Sequence, residues 1–331
     1  PRRPVNQMKQ IVIPLFIIIM AASCSKDSGD GNGNVNYRQE MRDFVQGISS
    51  YAKGLDPTFI VIPQNGIELV TQNGEPDGTP DPYYLALIDG CGQEELFYGY
   101  DNHDDVPTPA DETEWMLPFL TIAKNAGKPI LVTDYCSTPA HIDDSYTRND
   151  EAGFTSFAAP ERELTVIPTY PGPIHLENEG HVVALGDVRN FLYLINPENY
   201  LKKSMFIYAI IATNYDLLIV DLFFNEESPF TAEEVEEMRA KANGGRRLVI
   251  AYVSIGEAED YRWYWQTGWK PGNPSWLGEE NPDWEGNFTV RYWDPEWQKI
   301  IYGNDNSYVK KVLDAGFDGI YLDRIDAFEN F

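Results

Sequence analysis

Carboxylate side chains stand where short apolar segments of the sequence end. The polar residues at or just after the ends of eight such segments are Asn65, Glu94, Asp134, Tyr170, Asn196, Asp221, Glu257 and Asp323. Five of these eight residues are Asp or Glu. If the segment ends share one face, the carboxylates meet in one pocket, where they supply acid and base chemistry or bind hydroxyl and amino groups. A single carboxylate at such a position is also a common helix N-cap. The two interpretations, a reactive pocket and a helix cap, are distinguished by whether several carboxylates converge on one pocket.

The apolar segments are mostly continuous runs, which is typical of strands buried on both faces. The predicted strands are Phe59–Asn65, Tyr84–Asp89, Pro129–Asp134, Leu164–Tyr170, Phe191–Asn196, Asp216–Asp221, Leu248–Gly256 and Phe317–Asp323. Amphipathic segments between them predict helices over Arg38–Lys53, Glu114–Ala126, Lys202–Thr213, Thr231–Ala242 and Glu296–Ala315. Thr231 and Glu234 form a capping-box pattern.

Strand and helix alternating eight times predict an α/β fold, specifically a (β/α)8 TIM barrel whose active site lies at the carboxyl ends of the strands. An open, doubly wound sheet is the alternative fold. It is disfavoured because no GxGxxG or GxxxxGK[ST] loop follows any of the predicted strands.

The composition restricts the class of ligand. The 331 residues include 25 Lys+Arg and 52 Asp+Glu, for a net charge of −27, and 43% hydrophobic residues exclude a disordered chain. Nucleic acid is not expected as a partner, since binding it requires basic patches. The acidity favours a cationic or neutral ligand, although it also serves simply to keep an exported protein soluble.

The N-terminal segment has the features of an export signal. Residues 1–23 carry three basic residues and no acidic ones, and the apolar run Ile11–Ala22 is too short to span a bilayer comfortably. The sequence Ala21-Ala22-Ser23-Cys24 resembles a bacterial lipobox, with Cys24 as the lipidated residue. We therefore expect a membrane-anchored lipoprotein on the cell surface or the periplasmic face.

Two domain-level expectations follow from this. Residues 24–36 are polar and rich in Gly, Asn and Asp, which predicts a flexible tether, and residues 37–331 are expected to form one domain.

Cys91 and Cys136 either bridge or remain as two buried thiols, and the second state is favoured. No CxxC or HxxxH spacing occurs, so we expect neither a metal nor a cofactor.

Four segments resemble glycoside hydrolase family 114, the endo-α-1,4-polygalactosaminidase-like TIM barrels. They are YDLLIVDLF, RRLVIAYVSIGEAEDYR, the Trp-rich stretch ending in WEGNFTVRYWDPEWQKII, and GFDGIYLDRIDAFEN. FIVIPQNG and IDGCGQEELFYG resemble the later half of the same domain. An older label relates some members to cysteinyl-tRNA synthetase, but neither an HIGH nor a KMSKS signature occurs here.

The order of these segments differs from that of the family. In the family, the GFDG segment precedes a helix and the QNG strand, whereas here the GFDG segment ends at Phe331 and the QNG strand comes near the beginning. This order indicates a circular permutation in which the domain starts at the helix before family strand five, with residues 171–190 as the new linker. It predicts that Tyr37 and Phe331 lie close together. The alternative is two half-domains that do not close together.

The resemblance implies Asp323 and Glu94 as the catalytic pair, with Asp323 as nucleophile and Glu94 as general acid and base. Glu95 remains an alternative to Glu94, and Asp326 to Asp323, because sequence does not fix the register. Asp323 could instead be a helix cap or an ion-pair partner of Arg324. The expected substrate-binding residues are Asp221, Glu257, Asp134, Asn65, Tyr193, Tyr252, Asp326 and Tyr135.

Five tryptophans of one loop region either form a sugar platform or close the barrel mouth: Trp263, Trp265, Trp269, Trp276 and Trp284.

The resemblance implies an exported glycoside hydrolase that cleaves an amino-sugar polysaccharide, a cationic galactosamine polymer being the expected partner. A non-catalytic glycan-binding lipoprotein with the same barrel is the alternative function. A metal-dependent deacetylase or phosphatase is disfavoured because the chain has only four His.

Overall fold

The computed structural model of the chain describes residues 35–225 and 228–331. The predicted signal peptide 1–23, the lipidation residue Cys24 and all but the last two residues of the predicted tether lie outside the described residues. The body described below comprises residues 36–331. Within the described ranges, no helix combines the length and the apolar character that crossing a membrane would demand.

Eight α-helices lie in the described residues, and most present one apolar face to the interior. They are α1 Tyr37–Leu55, α2 Pro82–Leu87, α3 Ala110–Asn125, α4 Pro139–Ala152, α5 Lys203–Ile211, α6 Ala232–Met238, α7 Pro295–Ile301 and α8 Tyr308–Asp314. In α1, the residues Met41, Phe44, Val45 and Ile48 are fully buried, at the spacing of one helical face. The capping box of Thr231 and Glu234 is confirmed at the start of α6.

Eleven strands are present in the same residues. They are β1 Ile60–Pro63, β2 Cys91–Glu94, β3 Ile130–Tyr135, β4 Thr155–Ala159, β5 Phe191–Tyr193, β6 Leu217–Asp221, β7 Leu248–Ser254, β8 Glu257–Glu259, β9 Leu277–Glu280, β10 Asn287–Val290 and β11 Gly319–Asp323. One parallel sheet has the order β1-β11-β7-β6-β5, and a second has the order β2-β3-β4. The strands β8, β10 and β9 form a small antiparallel sheet.

The two parallel sheets meet beside β1. The residue after β1, Gln64, pairs in parallel with Gly92 of β2, and the amide of Asn65 donates to the carbonyl of Gly92 at 2.9 Å. The eight parallel strands therefore follow the order β5, β6, β7, β11, β1, β2, β3, β4. The strand ends Asp323 and Glu94 consequently lie on either side of β1, with Gln64 between them.

Six of the eight predicted strands are confirmed, and two predictions are wrong. Tyr84–Asp89 was expected as a strand, but α2 occupies most of it because Asp81 caps the backbone amides of Tyr83 and Tyr84, with Pro82 in the first turn. The strand in this position is β2, which has the polar sequence CGQE. Leu164–Tyr170 was also expected as a strand, but β4 comes earlier and consists mainly of small residues.

Two further corrections concern helices. The segment Glu296–Ala315 forms two short helices, α7 and α8, because the chain turns at Gly303, which has a positive φ of 95°. The polar helix α4 was not predicted, since its sequence carries little apolar periodicity.

Candidate active site

A single amide joins the two carboxylates that the sequence indicated as a catalytic pair. Gln64 donates through Nε2 to Glu94 Oε2 at 2.5 Å and to Asp323 Oδ1 at 3.1 Å. Because Glu94 Oε2 and Asp323 Oδ1 bond the same nitrogen, they lie no farther apart than the sum of the two distances, about 5.6 Å. The order of β11, β1 and β2 in the sheets brings these side chains together from distant parts of the chain.

Three side chains donate hydrogen bonds to Glu94. Besides Gln64, Asn65 donates through Nδ2 to Oε2 at 2.9 Å, and the hydroxyl of Tyr135 donates to Oε1. Asn65 Oδ1 in turn accepts from the backbone amide of Glu94 at 3.0 Å. The side chain of Glu94 is therefore held at both oxygens, in an orientation that the ends of β1 and β3 determine.

Asp323 is held in a comparable way. The hydroxyl of Tyr252 donates to Oδ2 at 2.6 Å, and the backbone amide of Arg324 donates to Oδ1 at 2.7 Å. With Gln64, these donors give the carboxylate three hydrogen bonds. Such bonds favour the ionised form of a carboxyl group.

Burial raises the pKa of both carboxyl groups of the pair. Burial raises the pKa of Glu94 to about 7, with the negative charge of Asp323 as the next contribution, while Tyr135 and Asn65 oppose the rise. Burial also raises the pKa of Asp323, and the hydrogen bond from Tyr252 is the largest opposing effect. Both side chains retain some access to solvent. At neutral pH, a useful fraction of Glu94 is thus protonated, which suits this residue to donate a proton.

Three residues next to this pair have left-handed backbone conformations although none is glycine. Asn65, Glu95 and Arg324 have φ values of 62°, 57° and 61°. Each directly follows one of the three residues Gln64, Glu94 and Asp323 at a strand end. This conformation costs about 1–2 kcal/mol for a residue with a Cβ atom, so the surrounding contacts must maintain it.

The structure distinguishes the two alternatives that the sequence left open. Glu95 turns away from Gln64 and pairs with Arg162, whose Nη1 lies 2.5 Å from Glu95 Oε1. Asp326 lies 3.7 Å from Arg324 Nη1 and has no contact with Gln64 among the hydrogen bonds of the described residues. Only Glu94 and Asp323 share a donor, which favours them as the reacting pair.

Two of the tyrosines predicted to bind substrate are buried beneath the pair instead. Tyr193 is 1% exposed, and its hydroxyl donates to Gln64 Oε1 at 3.1 Å. Tyr135 is 2% exposed, with the guanidinium of Arg162 4.1 Å from the centre of its ring. Neither ring has a free face for a sugar, so both tyrosines act on the carboxylates and their donors. Tyr252 is only half-buried and contacts Asp323.

Glu257 lies close to the pair but is bound within the protein. Its Oε1 atom accepts from Asn281 Nδ2 at 2.8 Å and lies 3.1 Å from Arg324 Nε. Since Asn281 follows β9, this contact brings the small antiparallel sheet to the strand end that carries Asp323. Burial raises the pKa of Glu257, and the charge of Arg324 opposes the rise.

Two other predicted substrate ligands do not join the pair. Asp134 is fully buried, and its carboxylate accepts from the amides of Phe97 and Tyr98 and from Ser145 and Asn149. The prediction that Asp134 contacts substrate therefore does not fit its placement, because its oxygens are already used inside the fold. Asp221 is similarly engaged, in an ion pair with Arg262 at 2.7 Å.

The strand ends predicted at Tyr170 and Asn196 also lie away from the pair. Tyr170 is exposed, and its hydroxyl bonds Asp143. Asn196 donates to the carbonyl of Glu163 at 2.6 Å. Both residues belong to loops because the preceding strands lie elsewhere or end earlier than predicted.

The five tryptophans divide into a packed group and two exposed residues. Trp265, Trp269 and Trp276 form a chain of ring contacts, with centroids 5.3 Å and 5.0 Å apart, and pack into the protein. Trp263 and Trp284 expose more than a third of their surface. Trp284 follows Asn281 in the turn between β9 and β10, so it lies on the same turn as the residue that contacts Glu257.

Cys91 and Cys136 are buried and free, which confirms the favoured prediction of two separate thiols. Burial raises the pKa of Cys91 to about 12. No group of three or more His, Cys, Asp or Glu in residues 35–225 and 228–331 is arranged to hold a metal ion.

Sequence reasoning missed the central part played by Gln64, which donates to both carboxylates. It also gave no role to Gln93, Asn281 or Arg162, which orient or pair with residues around the carboxylates. A signal for Gln64 was available, because an uncharged amide directly after a buried strand lies at the same sheet edge as the neighbouring carboxylates.

Comparison with known proteins finds one family match and several relatives for part of the chain. Residues 199–331 match the model of the glycoside-hydrolase family GH114. An uncharacterized protein of Methanocaldococcus jannaschii is 44% identical over 155 residues, which cover 43% of this chain and 42% of that protein. An uncharacterized protein of Deinococcus radiodurans is 48% identical over 121 residues, covering 37% of this chain and 36% of that protein.

An uncharacterized protein of Thermotoga maritima is 42% identical over 140 residues, covering 42% of this chain and 39% of that protein. The chain thus spans about two fifths of the length of the curated relatives that it matches. The segment that matches the family model includes β6, β7, β11 and Asp323. The similarity to glycoside-hydrolase family GH114 thus covers residues 199–331, which are less than half of the chain.

Proposed function

We propose that this protein is a retaining glycoside hydrolase that cleaves an amino-sugar polysaccharide of the α-1,4-polygalactosamine type. The observation that carries the proposal is the shared donation of Gln64 to Glu94 and Asp323. The resulting limit of about 5.6 Å on the oxygen separation is compatible with the ~5–5.5 Å typical of retaining enzymes and shorter than the ~6.5–9.5 Å of inverting ones.

The first chemical step joins the sugar to the protein. A carboxylate oxygen of Asp323 attacks the anomeric carbon, and the bond from that carbon to the leaving oxygen breaks. Glu94 transfers its proton to the leaving oxygen, so that the departing chain leaves as an alcohol. Its pKa of about 7 supports this role because a useful fraction of Glu94 is protonated at neutral pH.

The second step restores the protein. Glu94, now ionised, takes a proton from water, whose oxygen attacks the anomeric carbon. The bond between that carbon and Asp323 breaks, and the carboxylate of Asp323 is regenerated. Two displacements at the same carbon give a product with the anomeric configuration of the substrate.

The charge of the protein supports a cationic substrate. The sequence carries 52 acidic and 25 basic residues, and Asp323, Asp326 and Glu257 lie on or next to one strand end. A polymer with free amino groups is attracted to such a surface, and its association rate falls as salt increases. A neutral, fully acetylated polymer gains no such attraction.

We also propose that the row of eight parallel strands closes into a barrel and that its chain order is a circular permutation of the family domain. Contacts between β4 and β5, the two ends of the row, support closure. The rings of Phe157 in β4 and Phe191 in β5 lie 5.7 Å apart, and in the loops that follow these strands the amide of Asn196 donates to the carbonyl of Leu164 at 3.3 Å.

The proposed cellular location is based on the sequence. Residues 1–23 would serve as a lipoprotein signal peptide, and Cys24 would carry the lipid that anchors the protein to a membrane. The polar tether of residues 24–36 would then hold the catalytic domain away from the membrane surface.

The test of the function uses partly deacetylated polygalactosamine and measures released reducing ends. Asp323→Asn should lower turnover by about 10⁴-fold or more, and Glu94→Gln by about 10²–10⁴-fold. Asp314→Asn is the matched control, since Asp314 is a surface residue of α8 paired with Lys310. Nuclear magnetic resonance of the first product should show retained anomeric configuration.

Two results would contradict the proposal. Undiminished turnover in Asp323→Asn would remove Asp323 from the reaction, and an inverted first product would exclude the double displacement. If the unaltered protein binds the polymer without releasing reducing ends, the alternative function of a glycan-binding lipoprotein is selected.

A further inference from the structure

The orientation of the Gln64 amide is fixed by its partners. Its Oε1 atom accepts from the hydroxyl of Tyr193 at 3.1 Å, and its Nε2 atom donates to both carboxylates. In the reversed orientation, the amide oxygen would face two carboxylate oxygens, which are acceptors only when ionised. The two hydrogens of the amide therefore go to Glu94 and Asp323, one to each.

The two oxygens of Glu94 are unequally occupied. Oε2 accepts two hydrogen bonds, from Gln64 and from Asn65, whereas Oε1 accepts one, from Tyr135. The Asn65 amide is also fixed, because its oxygen accepts from Gln93 Nε2 at 3.3 Å and from the backbone amide of Glu94. A carboxylate oxygen has two lone pairs, so within the described part of the chain the open one is on Oε1.

Asp323 repeats this pattern. Its Oδ1 atom accepts from Gln64 and from the backbone amide of Arg324, while Oδ2 accepts only from Tyr252 among the described residues. The open lone pair of this carboxylate is therefore on Oδ2. In each carboxylate, Gln64 donates to the oxygen that already accepts a second hydrogen bond. Among the described residues, it is the only side chain that donates to both carboxylates.

We propose that Gln64 is a positioning residue that selects the reacting oxygen of each carboxyl group: Oε1 of Glu94 carries the acid proton, and Oδ2 of Asp323 attacks the sugar. Naming these chemical roles rests on the proposed hydrolase function, whereas the choice between the oxygens does not. Tyr193 acts through Gln64, because its hydroxyl keeps the amide from turning over.

The proton balance is simple under this proposal. The proton of Glu94 leaves Oε1 for the leaving oxygen of the substrate. The hydroxyl of Tyr135 donates to Oε1 both before and after this transfer, because the proton occupies the other lone pair of that oxygen. Tyr135 keeps its proton throughout, and burial raises the pKa of its hydroxyl well above the ordinary value.

Several charged or titratable groups surround Glu94, and each must be considered in an experiment on its proton. Asp323 faces it from β11, Tyr135 from β3 and Arg162 from the loop after β4, while Glu95 is its chain neighbour. Tyr193 of β5 and Tyr321 of β11 complete the set. A variant chosen as a probe should therefore change hydrogen bonding without changing charge.

Tyr193→Phe and Tyr321→Phe form a matched pair of such variants. Both tyrosines are almost fully buried, and their ring centroids lie 5.4 Å apart. The hydroxyl of Tyr193 holds Gln64, whereas the Tyr321 hydroxyl has no hydrogen-bond partner in the described residues. Each change removes one buried hydroxyl oxygen, but only Tyr193→Phe removes a hydrogen bond to the Gln64 amide.

The experiment is infrared spectroscopy of the protein with ¹³C-labelled glutamate carboxyl groups, without substrate, between pH 5.5 and 8.5. The band of protonated Glu94 is identified by its loss in Glu94→Gln. Glu329, whose pKa is also raised to about 7, keeps its band in that variant and serves as an internal reference. If Oε1 carries the proton, the carbonyl oxygen is Oε2, which accepts from Gln64 and Asn65.

Tyr193→Phe and Gln64→Leu should therefore move the carbonyl stretch of protonated Glu94 to higher wavenumber, because they weaken or remove a bond to Oε2. Tyr321→Phe should leave the band unmoved, and Tyr135→Phe should change it much less than Gln64→Leu. The midpoint of the Glu94 titration should rise by about 0.5–1 pH unit in Gln64→Leu, since a donor to the ionised form is lost.

The opposite pattern overturns the proposal. A carbonyl band that moves in Tyr135→Phe but stays fixed in Gln64→Leu and Tyr193→Phe would put the proton on Oε2. If Gln64→Leu does not fold, as judged by circular dichroism, Tyr193→Phe alone decides the question. Because the spectra require no turnover, a protein that proves inactive on polygalactosamine still confirms or refutes the selection of Oε1 on Glu94.

Discussion

The aromatic rings of Tyr37 and Phe331 lie 5.3 Å apart, although these residues stand at opposite ends of the described body. Trp293 joins them, with ring centroids 5.0 Å from Tyr37 and 4.7 Å from Phe331. The contact confirms the closeness that the segment order predicted. It also means that the ends of the domain can be joined by a short linker without deforming the fold.

The proposed permutation can be tested by restoring the family order. A protein that begins at Gly172, continues through Phe331, passes by a short Gly-Ser linker to Tyr37 and ends at Pro171 should fold and keep its hydrolytic activity within about tenfold. The loop around residues 171 and 172 is a suitable new break because it lies outside every strand and helix. Circular dichroism and reducing-end release measure the result. Loss of cooperative unfolding in the rearranged protein would contradict the proposal.

Replacing Glu94, the proposed general acid, should stabilise the protein above neutral pH. The raised pKa of Glu94 means that the folded state binds its proton more tightly than the unfolded state does. Stability is therefore lost as pH rises from about 4.5 toward 7 and stays lower above that range. Glu94→Gln should raise the free energy of unfolding by about 1–2 kcal/mol at pH 8.5, allowing for partial solvent access, and much less at pH 4.

Urea denaturation at both pH values measures this effect. Glu296→Gln is the matched control, because Glu296 is an exposed residue of α7 paired only with nearby Lys299. Equal changes for Glu94→Gln at pH 8.5 and pH 4 would show that ionisation of Glu94 is not their cause.

Gly92 of β2 leaves room for the buried side chain of Tyr321. A Cβ atom on Gly92 would lie 2.0 Å from the hydroxyl oxygen of Tyr321 and 2.5 Å from its Cζ atom. Because Tyr321 is fully buried, it cannot swing away, and Gly92→Ala should cost about 1–3 kcal/mol of stability. The double variant with Tyr321→Phe should regain part of this loss. Additive effects of the two changes in a double-mutant cycle would rule out the steric explanation.

A buried ion pair holds the loop before β5 against the body of the protein. Lys241 Nζ lies 2.8 Å from Asp216 Oδ1, and both side chains are inaccessible to solvent. The same ammonium donates to the carbonyls of Asn178 and Gly180, at 2.8 Å and 3.2 Å. Lys241→Met should therefore lower the free energy of unfolding by about 3–5 kcal/mol, since it leaves a buried carboxylate without its countercharge.

Chemical denaturation tests the ion pair, and limited proteolysis should detect faster cleavage within residues 171–190. Lys299→Met is the control, because Lys299 is an exposed lysine paired with Glu296 and should change stability by less than about 0.5 kcal/mol. Adding Asp216→Asn to Lys241→Met should recover stability, because the lone charge disappears. Equal losses for the two lysine variants would refute a special role for Lys241.

The sequence carried enough information to locate six strands because those strands are continuous apolar runs. In β6, for example, every residue of LLIVD is buried. The strand β2 escaped detection because the sequence CGQE contributes its backbone and its polar ends to the site. A strand whose residues serve a site loses the apolar signal on which recognition depends.

The carboxylate pair itself was predictable only with the family resemblance. Spacing along the chain gives no hint that Asp323 and Glu94 meet, since the contact depends on β1 lying between β11 and β2. The internal roles of Asp134 and Tyr193 were not predictable, because they rest on hydrogen bonds to residues from other elements. A carboxylate at a strand end is compatible with solvent, with substrate or with complete burial until its partners are known.

The left-handed residues Asn65, Glu95 and Arg324 have a consequence for attempts to make this protein more heat-resistant. Glycine would relieve each backbone at little steric cost, so these three positions are among those in the described residues where a glycine substitution can stabilise the fold. Each of them also adjoins Gln64, Glu94 or Asp323, whose side chains need a rigid support. A glycine accepted for thermal tolerance at one of these three positions would thus loosen the proposed reaction centre, trading turnover for robustness.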